Sequence, residues 1–202
     1  MSTMTLPREL RTARLVLRRW LATDRAPFAS MNADHRVMEH FPAVLGPDES
    51  NGLADRIGQH FDNHRFGLWA VEIPGVTRFA GFVGLAVPEF HAHFTPCVEV
   101  GWRLAAEYWG RGYATEGGRA AVVFGFERLH LAEVVSFTVP ENVRSRHVME
   151  RIGMVPDSAA DFDHPTVPAL RRRHVLYRIK SNELTTPACQ PTTASAIPSR
   201  RG

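Results

Sequence analysis

Lysine is all but missing from this chain: among 24 basic side chains only Lys180 is a lysine. No segment can therefore supply the Gly-Lys-Ser/Thr ending of a Walker-type phosphate loop, and that class of nucleotide site is excluded. Cysteine is nearly as scarce. Cys97 stands in an apolar stretch and Cys189 in a polar one. With no CxxC pair, neither a disulfide framework nor a zinc site of recognisable spacing is expected, and both thiols read as reduced. Long apolar runs are missing too, and the opening "MSTMTLPREL" has no apolar signal region, so the expectation is a cytoplasmic protein with no membrane partner. Net charge is small. An excess of +3 suits an anionic ligand but gives no ground for nucleic acid as a partner.

What is present is enough for one ordinary domain. A chain of 202 residues, 44% hydrophobic, can bury a single core, here expected over residues 1–180. From Ser181 the apolar periodicity stops and Thr, Ser and Pro take over, so residues 181–202 read as a disordered tail. Alternation predicts a strand over Ala13–Leu21, and two helices follow it, one capped by Thr23 or Asp24 and one by Asp48, the latter carrying Leu53, Ile57 and Phe61 on one face. Two strands near Leu68–Ile73 and Phe79–Val87 flank a turn at Pro74-Gly75. Then come a strand "CVEVGWRL", a helix within Glu107–Leu129, a strand "AEVVSFTV", a helix opening at Asn142 and a last strand "RHVLYRIK". The order βααβββαβαβ is that of an α/β (α+β) protein with a mixed, mostly antiparallel sheet and helices on both faces.

The stretch "EYWGRGYATEGGRAAVVFGFERL" carries the chemistry. A glycine-rich turn leading straight into a helix presents unpaired backbone N–H groups at the positive end of the macrodipole, which is a phosphate cradle. Gly110 and Gly112 permit the torsions and close approach, and Arg111 adds a charge; a bare glycine pair also reads as a simple tight turn. A dinucleotide fingerprint is excluded, because its third glycine would fall on Thr115. The stretch instead resembles the pyrophosphate loop of the GNAT superfamily of acyl-CoA-dependent N-acyltransferases, Gln/Arg-x-x-Gly-x-Gly/Ala. Gly112 and Ala114 match its last two fixed places, and Trp109 stands where Gln or Arg is usual. The wording "YWGRGYATEG" is similar to the branch of ribosomal-protein N-terminal acetyltransferases. "ENVRSRHVMERIGM" is similar to the family's next helix, with Asn142, Ser145 and Gly153-Met154 in place. The tyrosine that many members use there to protonate the departing thiolate is matched by Met149. The resemblance spans residues 10–180.

It implies acetyl-CoA as cosubstrate, no metal, and direct transfer in a ternary complex to a primary amine, either a protein N-terminus or a small molecule. By the same resemblance, the backbone of Val100, Gly101, Trp102, Arg103 and Leu104 pairs with the pantetheine arm. Trp109, Gly110, Arg111, Gly112, Tyr113 and Ala114 hold the pyrophosphate, and Asn142 and Ser145 complete the site. Read on its own, strand alternation sets Cys97, Glu99, Gly101 and Arg103 on one face and Val98, Val100, Trp102 and Leu104 on the other. Glu99 is then a lone carboxylate beside the loop, either a general base acting directly or through water, or a strand residue paired with Arg103. Gly101 favours a bulge or a close approach that would part this strand from "AEVVSFTV". Catalytic candidates are Glu99, Ser145 and Asn142, the last two reading otherwise as a surface hydroxyl and a helix cap. His91 and His93 lack further ligands at metal spacing. "DFDHP" reads as an acceptor loop or a polar turn, and "LRRRHVLY" as a solvated strand edge. The rival to an enzyme is a non-catalytic acyl-CoA-binding or regulatory module, and a homodimer is left open.

Overall fold

The computed structural model describes residues 9–183, so all but the first three residues of the expected tail, Cys189 included, lie outside the described residues. Of the strand expected over 13–21 only Val16–Arg18 forms, as β2, the second arm of a hairpin whose first arm, β1 (Glu9–Arg11), lies ahead of that stretch. Thr12 closes it: its N–H donates to the Leu15 carbonyl at 3.0 Å, and its Oγ1 accepts the Leu15 N–H at 2.9 Å. Three helices follow where the pattern suggests two. Between α1 (Arg25–Asn32) and α3 (Pro47–His64) lies the single turn α2 (His35–Met38), capped by Asp34, whose Oδ1 accepts the Arg36 N–H at 2.9 Å. Asp24 ends the turn before α1, and α3 starts with Gly46 as cap, Glu49 reaching back to the Gly46 N–H at 2.8 Å; Asp48 sits inside the first turn.

Strands β3 (Leu68–Glu72) and β4 (Gly81–Ala86) flank the Pro74-Gly75 turn, where Gly75 takes φ 76°. The remaining elements are β5 (Glu99–Leu104), α4 (Tyr113–Arg128), β6 (Glu133–Thr138), α5 (Val143–Ile152), β7 (Val155–Pro156), β8 (Phe162–Asp163) and β9 (Arg173–Lys180). With two residues each, β7 and β8 are too short to show alternation. The sheet runs β1-β2-β3-β4-β5-β6-β9-β7, with β8 also on β9, and every pairing is antiparallel except β5–β6.

That exception makes the site. The β4–β5 register is unbroken from Gly81↔Leu104 to Ala86↔Glu99, so the bulge expected at Gly101 is absent. On its other edge β5 meets β6 at one pair, Glu99↔Val135, while β6 stays laddered to β9 from Glu133↔Lys180 to Thr138↔Val175. Each half of the sheet keeps its own ladder, and the halves part beyond Glu99. Helix α4 lies on the face of Val83, Val100 and Leu104. A Cβ at Gly117 would stand 3.3 Å from Val83, and one at Gly118 2.6 Å from Ile152 of α5, so small residues let α4 settle close to both. Helix α1 covers the opposite face, its Phe28 ring 6.1 Å from Phe82. A second, smaller core gathers Val135, Ala160, Phe162 and Leu176 under Phe90 and Phe94. Among the described residues no helix is long and apolar enough to cross a membrane.

Candidate active site

Between the parted strands lies a cavity of about 580 Å³, in the usual range for a small-molecule site. One wall is the glycine turn. Gly110 and Gly112 take φ 72° and 80°, left-handed values that would cost a residue with a Cβ about 1–2 kcal/mol, and Gly112 is the N-cap of α4. Gly110, Gly112, Tyr113, Ala114 and Thr115 line the cavity, so the orphan N–H groups of the first helical turn face it. Arg111 does not line it; its side chain is exposed and its carbonyl points back into the protein.

The turn is held from behind by residues 97 to 104 positions earlier. Glu116, in the first turns of α4, accepts from Thr12 Oγ1 at 2.6 Å, from the Arg14 N–H at 2.9 Å and from Arg14 Nε at 2.6 Å. Arg14 Nη1 donates to the Arg111 carbonyl at 2.9 Å, and its guanidinium lies 4.8 Å from the Tyr113 ring centre. Burial alone would push the Glu116 carboxyl up, but these bonds outweigh it and hold the group below its ordinary value. No local pattern announces this clamp, because its two halves meet only in the fold.

Trp109 shows what replaces the usual Gln or Arg. Its Nε1 donates to the Leu104 carbonyl at 2.8 Å, tying the loop to the end of β5, and the Arg144 guanidinium stacks 4.7 Å from its ring. Arg144 in turn donates to Glu39 at 2.5 Å, linking α5 to α2 beside the cavity.

The second wall is β5 itself. Val135 N–H bonds the Val98 carbonyl at 2.9 Å, and there the β5–β6 ladder ends. By ladder parity, the Val100 carbonyl and the Trp102 N–H and carbonyl turn toward β6 with no strand opposite them. The Val100 side chain is fully buried on the α4 side, so only its backbone belongs to the slot. Gly101, Trp102, Arg103 and Leu104 all line the cavity.

Glu99 sits where the strands part. It lines the cavity, stays half-buried, and makes no ion pair or side-chain hydrogen bond among the described residues. The expected alternative, a pair with Arg103, is not formed: Arg103 donates instead to Asn32 Oδ1 at 2.7 Å. With nothing to stabilise its charge, burial pushes the Glu99 carboxyl up to about 8. Its neighbour Cys97 is pushed to about 11, chiefly by burial and then by Glu99. Across the slot, Ser145 and Asn142 line the cavity from α5. The Asn142 amide is engaged at both ends, its Oδ1 accepting the Ser145 N–H at 3.1 Å and its Nδ2 donating to Thr138 Oγ1 at 3.0 Å. It caps α5 and fixes Ser145, whose hydroxyl has no partner among the described residues. Met149 is buried in the core and does not line the cavity.

On the face away from α4 the wall includes His164 of the "DFDHP" stretch together with Phe41, Phe137 and His174, which no local spacing singles out as site residues. Burial lowers both histidines below their ordinary value. His174 Nδ1 meets the Arg172 carbonyl at 2.9 Å, which can only accept, so a neutral ring carries its proton on Nδ1. Within "DFDHP", only His164 reaches the cavity. Asp161 accepts the Leu176 N–H at 3.1 Å and Asp163 lies 3.9 Å from Arg173, so both carboxylates turn toward β9. His91 and His93 are exposed, and among the described residues no group of three or more His, Cys, Asp or Glu is placed to hold a metal ion.

The model of the acetyltransferase (GNAT) domain matches residues 14–155. The chain is 34% identical over 131 residues to the FsC-acetyl coenzyme A-N(2)-transacetylase of Aspergillus fumigatus, covering 56% of this chain and 54% of that one, about half its length. It is 27% identical over 194 residues to the ribosomal protein uS5-alanine N-acetyltransferase of Escherichia coli, covering 90% and 93% of the two chains. The crystal structure of an acetyltransferase from Agrobacterium tumefaciens matches with a TM-score of 0.70 at 26% identity, covering 89% of this chain and 97% of that one. A split mixed sheet, a glycine turn opening α4 and a family match over most of the fold converge: the chain belongs to the GNAT family of acetyl-CoA-dependent N-acetyltransferases.

Proposed function

We propose that residues 1–180 form a single catalytic domain that binds acetyl-CoA and passes its acetyl group directly to a primary amine in a ternary complex, with Glu99 as the base. The observation that carries this is the Glu99 carboxyl, half-buried, without a partner among the described residues and raised to about 8 at the point where β5 and β6 separate. The turn at 109–114 receives the diphosphate on the N–H groups that open α4, and the free edge of β5 from Val100 to Leu104 pairs with the pantetheine arm. The amine nitrogen bonds to the thioester carbon while its proton passes to Glu99, directly or through water. The Trp102 N–H stabilises the carbonyl oxygen as it turns negative. The C–S bond then breaks, and the thiolate takes a proton from Ser145 or from water, since Met149 has none to give. No metal enters this scheme.

The acceptor we infer is an α-amino group, of a peptide N-terminus or a small molecule. Its pKa of about 8 matches Glu99, whereas a lysine at about 10.4 would make the transfer uphill by about 3 kcal/mol. The proposed place of action is the cytoplasm, and light scattering tests for a homodimer. A panel of peptides and small amines, followed by mass detection of the acetylated product and by CoA release, tests the function. We expect stoichiometric CoA release with at least one α-amine. Tight acetyl-CoA binding without product from any amine would favour a binding or regulatory module instead.

A further inference from the structure

We propose that the acceptor carries a carboxylate as well as its amine, and that Arg103 is the residue that recognises it. This rests on the transfer reading above. Arg103 shares a strand face with Glu99 and Gly101, the face turned away from α4. Four residues of strand span about 13 Å, so Glu99 and Arg103 mark the two ends of one stretch of cavity floor. Gly101 leaves the floor between them bare: a Cβ there would meet Glu99 Oε1 at 3.7 Å and nothing nearer.

The Arg103 guanidinium is positioned but not neutralised. Its Nη1 donates to Asn32 Oδ1 at 2.7 Å, and Asn32 is itself held by Ser50, its Nδ2 donating to Oγ at 2.7 Å. The Phe41 ring centre lies 4.0 Å from the guanidinium carbon and that of Phe82 5.5 Å. These three neighbours, and Ser50 behind Asn32, are uncharged. Among the described residues no carboxylate pairs with Arg103, and its Nε is buried without a partner. Burial lowers its pKa to about 10, which still leaves it charged near neutral pH. A half-buried cation with an orphaned Nε and no counter-ion is unfavourable, and an incoming carboxylate would relieve it with a charge-assisted bond.

The rest of the lining has the same sign. Among the described residues Arg36, Arg144, Arg151 and Arg171 join Arg103 around the cavity, against the single carboxyl of Glu99. Arg36 and Arg144 have acids of their own in Asp34 and Glu39. The coenzyme phosphates are expected on the α4–α5 side, so they do not neutralise Arg103 on the other face of β5. A polycationic amine would bring its second charge toward this uncompensated cation, whereas an amino acid or acidic peptide brings the opposite sign.

The test compares C-terminally amidated peptides that share an N-terminal residue and differ downstream only in Asp against Asn, or Glu against Gln, alongside a linear triamine. Wild-type enzyme should acetylate the acidic member at least tenfold better in kcat/KM than its amide twin, mostly through KM, with the triamine poorest. Arg103→Met keeps the apolar stem and removes the charge, so the acid-to-amide ratio should fall to about one. An Arg103 that merely ties β5 to α1 would change stability and leave that ratio alone. Equal rates for acid and amide in the wild type, a ratio that survives in Arg103→Met, or a preferred triamine would overturn the proposal. If the Met variant does not fold, the acid-to-amide ratio of the wild type decides. Turnover without a carboxylate preference leaves the transfer reading standing, whereas acetyl-CoA binding with no product from any member overturns both.

Discussion

A carboxyl held near 8 by burial changes what an enzyme can do at neutral pH, and Glu99 shows both the gain and the cost. An ordinary glutamate near 4.5 is too weak a base to draw a proton from an ammonium group near 8, a gap of about 5 kcal/mol at 1.36 kcal/mol per pH unit. Raising Glu99 closes that gap. Its ionised form then becomes dominant only above pH 8, so with an acceptor whose own pKa lies below about 6, kcat/KM should rise about tenfold per pH unit up to about 8 and level off. Glu99→Gln should lower turnover on the order of a hundredfold, abolish that limb and leave acetyl-CoA affinity near wild type. Wild-type rates across pH 6–9 would reduce Glu99 to a strand residue and leave positioning as the main catalytic effect. The cost appears in stability. A carboxyl raised in the folded state binds more protons there than in the unfolded chain between its ordinary value of 4.5 and about 8, so its contribution to stability is present below that window and lost as pH rises through it. Glu99→Gln should therefore match the wild type in stability near pH 4 and exceed it at pH 8, by at most about 4 kcal/mol and by less to the extent that solvent screens this half-buried group. Melting curves at the two pH values check this.

At the scale of elements, the cofactor turn depends on a hairpin that never touches the cavity. Thr12 and Arg14 fix Glu116 and the Arg111 carbonyl, and so set the direction in which the N–H groups of Tyr113 and Ala114 point. Arg14→Ala or Glu116→Gln should weaken acetyl-CoA binding about tenfold, the loss of one or two charge-assisted bonds' worth of preorganisation, with kcat at saturation nearly unchanged. Calorimetric affinity equal to wild type in both folded variants would show that the turn is set by Gly110 and Gly112 alone. The clamp also marks where sequence reading stops. Helices α4 and α5 and strand β9 are readable because their caps, small-residue faces and alternation are local, and parity alone places Glu99, Gly101 and Arg103 together on one face. Glu116 has no such signal, since its partners lie 102 and 104 positions away. Alternation at 13–21 hides a turn because the Thr12 and Leu15 bonds that close it carry no periodic mark. Gly101 suggests a bulge, yet the opening needs none: β5 keeps an unbroken register with β4 and β6 with β9 while the two strands part beyond Glu99↔Val135.

For the molecule as a whole, that parting leaves a sheet of two halves joined along their common edge by the single pair Glu99↔Val135, with α4 and α5 packed across the gap at Gly118 and Ile152. Backbone groups that a continuous sheet would satisfy internally are left here for a ligand, and hydrogen bonds from a pantetheine arm would complete the ladder as a strand would. Acetyl-CoA should thus act as a structural element of the folded state. At a hundredfold excess over Kd, a ligand that binds only the folded chain adds about 2.7 kcal/mol, which for a domain of this size is a rise in Tm of about 5 to 10 °C. The distribution of the effect is the sharper readout. Amide exchange should slow at Trp102 and Leu104 and across Gly112–Ala114, while β3, already laddered on both sides by β2 and β4, should be unaffected beyond the global gain. Val100→Pro would leave its carbonyl facing the slot but remove the N–H that closes the last β5–β6 bond, and should destabilise the apo protein. Trp102→Pro would remove an N–H that faces the open side, so its larger effect should fall on acetyl-CoA affinity. Exchange that slows uniformly across all strands, with no added protection at Trp102 or in the glycine turn, would show that the coenzyme binds elsewhere and that the open edge of β5 is not its partner.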